Sequence, residues 1–96
     1  MSKIDHAEFH FSITVHTDRR EVLYALRALS MAAQRTVNNK IPWSGVTDSS
    51  WNRRRGLATF HFTSQEFRQQ FRDWASELLK ADSWSYVGDS DDHPPD

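Results

Sequence analysis

From Glu8 to His16 the chain alternates apolar and polar residues. Phe9, Phe11, Ile13 and Val15 fall on one side; His10, Ser12, Thr14 and His16 fall on the other. A period of two predicts a strand with one buried face. The period then lengthens. Val22, Ala25, Leu26, Leu29, Ala32, Ala33 and Val37 recur at helical spacing, flanked by Leu23 and Met31. Such a stripe predicts a helix with one apolar face. Thr17 or Asp18 is placed to cap it, with Asp18 and Glu21 in capping-box spacing, and Asn38-Asn39 is a helix stop.

The stretch Leu57 to Leu79 carries the clearest pattern. Ala58, Phe60 and Phe62 alternate along a strand, and Thr63-Ser64-Gln65-Glu66 follows in the form of a capping box. Phe67, Phe71, Trp74, Ala75, Leu78 and Leu79 then mark a second apolar helix face. Upstream, Ile41-Pro42 is extended because the residue before proline avoids the helical region. Trp43 to Trp51 has no helical period and predicts a strand, with Asn52 to Gly56 as the turn of a hairpin spanning Trp43 to Thr63. Ala81-Asp82-Ser83 ends the second helix, and Trp84 to Val87 predicts a last short strand. Gly88 to Asp96, with Pro94-Pro95 and its acids, has nothing to bury and is expected to be disordered.

The predicted order is β-α-β-β-α-β. It resembles the ferredoxin-like α+β sandwich: a four-stranded antiparallel sheet with two helices on one face. Phe9-His10-Phe11-Ser12 recurs as Phe60-His61-Phe62-Thr63, at the strands opening the two half-repeats. The expected organisation is one domain over residues 1–87 with an acidic tail over 88–96. In the strand order 4-1-3-2, the uncovered sheet face would display Trp43, Thr47, Ser49, Trp51, Leu57 and the histidines His10, His16 and His61.

Charge changes this picture at two places. The formal net charge is -1, which argues against a protein that coats nucleic acid by charge alone. Four acids, Asp89, Asp91, Asp92 and Asp96, sit in the final stretch. The rest of the chain holds nine acidic and 12 basic residues, about +3 by the count of ionised side chains. Arg53-Arg54-Arg55 is the densest basic run. The acidic tail could fold back on it or simply be solvated. There is no cysteine, so thiolate metal sites and thiol catalysis are excluded. The first residues lack an apolar signal-peptide core, and no run approaches the roughly 20 apolar residues of a bilayer span. The expected location is the cytoplasm.

Candidate chemistry is sparse. His10 and His16 are six positions apart on one strand, about 20 Å at 3.3 Å per residue, so one ion cannot bridge them. Only a pairing of His61 with one of them is open, without a third ligand. There is no Gly-x-Ser-x-Gly elbow, no glycine-rich phosphate loop and no paired buried carboxylate. RNA-recognition modules share the expected topology but carry aromatics where this chain has His, Ser and Thr. The reading is therefore a non-enzymatic protein-interaction module of accessory or inhibitor type, self-associating, with no cofactor and no membrane contact. Its expected partner-binding residues are Trp43, Trp51, Arg53, Arg54, Arg55, His10 and His61. The alternatives are an RNA or single-stranded DNA binder and a histidine-based metal-dependent activity.

Overall fold

The computed structural model describes residues 9–33 and 46–93. These form β1 (Phe11–His16), α1 (Arg20–Ala33), α2 (Asp48–Arg53), β2 (Leu57–Phe62), α3 (Gln65–Leu78) and β3 (Ser85–Ser90). The three strands make one antiparallel sheet in the order β2-β1-β3. The fold is α+β. The four-stranded ferredoxin-like sandwich is overturned, because the described residues contain three strands and a third helix stands in place of the predicted second strand. β1 lies at the centre, with β2 and β3 on either side of it.

The third helix has a local cause. Thr47 is extended, at φ -70° and ψ 158°, and its hydroxyl accepts the Ser50 amide. That is an N-cap, and Asp48 follows it in the first turn, where the helix dipole favours an anion. Six residues of helix suffice to turn Trp51 inward. Its indole is 7% exposed and its Nε1–H donates to the Thr17 carbonyl at 2.8 Å. A strand would have left that ring on the polar side of the sheet. The start of the predicted strand, including Trp43, lies outside the described residues.

One apolar core joins the layers. Ile13 and Val15 of β1 and Ala58, Phe60 and Phe62 of β2 pack with Val22, Leu23, Leu26 and Ala33 of α1, Trp51 of α2 and Phe71 and Ala75 of α3. The Phe71 ring lies 4.8 Å from Phe60 and 5.4 Å from Phe62, within the range of favourable tilted ring pairs. The α1 stripe is rotated from its predicted position: Leu23 is fully buried, Ala32 and Met31 are exposed, and Ser30 occupies an inner position. Ser30 is tolerated there because its hydroxyl donates to the Arg27 carbonyl at 2.7 Å. Leu78 also leaves the predicted stripe and is exposed at the end of α3.

The helix starts differ by one residue from those the sequence predicts. Ser64, not Thr63, caps α3, accepting the Phe67 amide at 3.1 Å. Glu66 is thus in the first turn, one position short of capping-box geometry. Thr17 accepts the Arg19 amide at 3.2 Å and donates its own proton to the Ser83 carbonyl at 2.8 Å. One hydroxyl therefore ties the approach to α1 to the approach to β3. The chain also stays ordered past Val87: β3 continues to Ser90, and the His93 amide donates to the His10 carbonyl at 2.8 Å. The expected disorder is corrected for residues 88–93; residues 94–96 lie outside the described residues. No helix of the described residues is long and apolar enough to cross a membrane.

Candidate interaction surface

The predicted site residues separate into two places. Register sets the division: His16 pairs with Leu57 at one end of the sheet, and Ser12 pairs with His61 near the other. Six-residue strands at 3.3–3.4 Å per residue put these ends about 17–20 Å apart. Arg53, Arg54 and Arg55 lie at the first end, between α2 and β2. His10 and His61 lie at the second. Trp51 belongs to the core and is 7% exposed. His61 is 4% exposed.

The Arg-rich segment is a helix-to-strand turn, not a hairpin tip. The Arg54 amide bonds to the Ser50 carbonyl, the Arg55 amide to Asn52 and the Gly56 amide to Trp51. Arg55 has φ +57° and Gly56 φ +95°. Gly56 is required: a Cβ there would stand 2.7 Å from the Thr17 carbonyl oxygen and 2.8 Å from His16 Nε2. Arg55 takes a left-handed conformation that Gly or Asn adopts more cheaply. Arg53 and Arg55 are exposed; Arg54 is half-buried and donates from its guanidinium to Thr59 Oγ1 at 3.0 Å. Arg19 is exposed at the same end, two residues past Thr17, whose amide donates to the Gly56 carbonyl.

A separate charged group docks α2 on α1. Asp48 accepts from the Tyr24 hydroxyl at 2.7 Å and pairs with Arg27 at 2.5 Å and Arg20 at 3.5 Å. The Tyr24 hydrogen bond, then that from Arg27, holds the Asp48 carboxyl below its ordinary pKa. The same contact with Asp48 raises the Tyr24 hydroxyl. Arg20 also lies over the Trp51 ring, 5.9 Å from its centroid. These cations are occupied by the fold.

The far end is held by Arg68. Its guanidinium pairs with Asp91 at 2.7 Å and donates to the carbonyls of Ser90 at 2.9 Å and Ser12 at 3.4 Å. Gln65 donates to Asp91 at 2.7 Å, and His10 Nδ1 donates to the Asp91 carbonyl at 2.5 Å. The hydrogen bond from Arg68 chiefly lowers the Asp91 pKa; burial opposes it, and Gln65 adds to the lowering. His93 meets Ser12 Oγ at 3.3 Å through Nδ1 and lies against His61, ring to ring at 5.5 Å. Asp91 of the acidic segment therefore closes on Arg68, and among the described residues no acid of that segment pairs with the Arg53–Arg55 turn. His93 falls in the acidic tail by sequence, and its place in the chain carries no signal that it reaches β1.

The polar sheet face is less open than its pattern implied. Ser12, Thr59 and His61 on that face are buried within the single chain. Among the described residues, no group of three or more His, Asp or Glu side chains is placed to hold a metal ion. No family model, curated protein or solved structure matches this chain.

Proposed function

We propose that this chain is a small non-enzymatic protein-interaction module that recognises an acidic surface of a partner protein through the Arg53–Arg55 turn. The observation that carries this reading is the contrast in pairing among the arginines. Arg20, Arg27 and Arg68 are paired with Asp48 or Asp91. Arg53 and Arg55 are exposed and form no ion pair among the described residues. Arg55 moreover keeps a guanidinium at a left-handed position where a smaller residue costs less, by roughly 1 kcal/mol. A charge retained against local backbone preference is consistent with use outside the fold.

Nucleic acid is the second reading, since the same triplet could grip phosphates. It is weakened by Trp51, the ring nearest in sequence for stacking a base, which is buried. The two readings separate by experiment. The full chain should bind an immobilised glutamate-rich peptide, with affinity falling as salt rises. Arg53→Glu with Arg55→Glu should weaken that binding by about tenfold or more through charge reversal. Equal binding of the double variant, or tighter binding of a single-stranded oligonucleotide than of the peptide, would sink the protein-partner reading.

A further inference from the structure

We infer that Arg54, Thr59, Thr14 and Gly88 form a seat for one carboxylate on the polar face of the sheet. The inference rests on the acidic-partner reading and names the group that such a partner would deliver. The four residues form a row across all three strands. Arg54 donates to Thr59 Oγ1 at 3.0 Å, Thr59 and Thr14 share a hydroxyl–hydroxyl bond at 2.9 Å, and Thr14 is the cross-strand partner of Gly88.

Counting protons shows what this row lacks. A guanidinium has five N–H donors and no acceptor. Arg54 uses one of them, on a neutral hydroxyl, and it forms no ion pair among the described residues. Two hydroxyls bring two protons, and their mutual bond consumes one. Whichever of Thr14 and Thr59 donates in that bond, one O–H is left over, and no described residue accepts it. Thr59 is only 3% exposed, whereas Thr14 is half-buried, so the pair is approached from the Thr14 side. The row is rich in donors, poor in acceptors and positively charged. Its complement is an anion whose atoms only accept, and a carboxylate is such a group.

Space for it lies beside Thr14. A Cβ on Gly88 would meet nothing within 4 Å. The strand positions on this face are Ser12, Thr14, His16, Leu57, Thr59, His61, Ser85, Gly88 and Ser90, which include no Phe, Tyr or Trp. That favours an acidic side chain over a nucleotide, whose base would seek a stacking platform.

The test uses the full chain and N-acetylated tetraglutamate, followed by NMR. Saturable shifts of the Gly88 amide and the Arg54 Nε–H are expected. Thr14→Val keeps the side-chain shape and removes the more exposed hydroxyl of the pair, leaving the spare proton on buried Thr59. Gly88→Val suits a strand and fills the space. Each should weaken the peptide by about three- to tenfold, the worth of one net hydrogen bond, with the fold retained. Thr14→Ser should restore affinity. If both valine variants bind like the parent while Arg53→Glu/Arg55→Glu still weakens, the seat is wrong and the basic-turn reading stands. If the peptide binds neither place, both fail. If inorganic phosphate or an oligonucleotide displaces the peptide and gives larger shifts at the same resonances, the carboxylate assignment is overturned.

Discussion

Arg68 and Arg54 both reach the sheet from outside it, at opposite ends, and the fold treats them differently. Arg68 comes from α3 and finds a carboxylate and two carbonyls, Asp91, Ser90 and Ser12. Its charge is spent on joining α3, β1 and the end of β3. Arg54 comes from the turn after α2 and finds one hydroxyl, on Thr59. Two residues of the same type, both partly buried, thus differ in what remains for a ligand. The lesson is that compensation, not residue identity, marks the end of this molecule suited to a partner. An arginine surrounded by acceptors is architecture; one surrounded by donors is open to an anion.

The largest effect should come from removing the anchor of the Arg54 end. Trp51→Ala should cost about 3–5 kcal/mol, as expected for a buried aromatic, measured by urea denaturation. A loss below about 1 kcal/mol would mean that the indole is not core. Next, Arg68→Ala should cost roughly 1.5–3 kcal/mol, since charged hydrogen bonds to two carbonyls disappear. It should also speed hydrogen exchange at His93. If exchange there is unchanged, Arg68 does not hold the C-terminal segment.

Acid should affect the Arg68 end in a defined direction. The Asp91 pKa is lowered from its ordinary 3.8, chiefly by Arg68. The folded state therefore binds its proton less readily than the unfolded chain. The resulting stabilisation is present above that ordinary value and is lost as pH falls below it, through the folded pKa. Asp91→Asn should flatten stability against pH in the region below about 4, where an unpaired carboxylate titrates, and a variant as acid-sensitive as the parent there would contradict the pairing. The smallest effect should be at Arg54. Arg54→Gln should cost about 0.5–1.5 kcal/mol at most, the worth of its one hydrogen bond to Thr59. A larger loss would erase the contrast with Arg68 and assign Arg54 to the fold as well.

Much of the scaffold was legible in the chain. Alternation in Ile13–Val15 and Ala58–Phe62 marked the two neighbouring strands, because a period of two has one face to bury. Helical spacing located α1 and α3 for the same reason. Capping was legible in type but not in register: Thr63 and Ser64 are adjacent hydroxyls, and only the backbone at Ser64, φ -150° and ψ 159°, decides which one receives an amide. The signal for α2 was also present, in Thr47-Asp48 ahead of Trp51, but it competed with a Ser- and Thr-rich stretch that lacks helical period.

The sequence by itself determined which segments are amphipathic and that three guanidiniums are consecutive at Arg53–Arg55, because both are properties of neighbours along the chain. Tertiary structure alone decided that Trp51 turns into the core, that Asp91 and His93 close against β1, and that Arg54 meets a hydroxyl where Arg68 meets an acid. Those outcomes depend on pairings between residues far apart in sequence, such as His10 with His93 and Thr14 with Thr59. Local periodicity carries no information about which distant group will satisfy a buried donor.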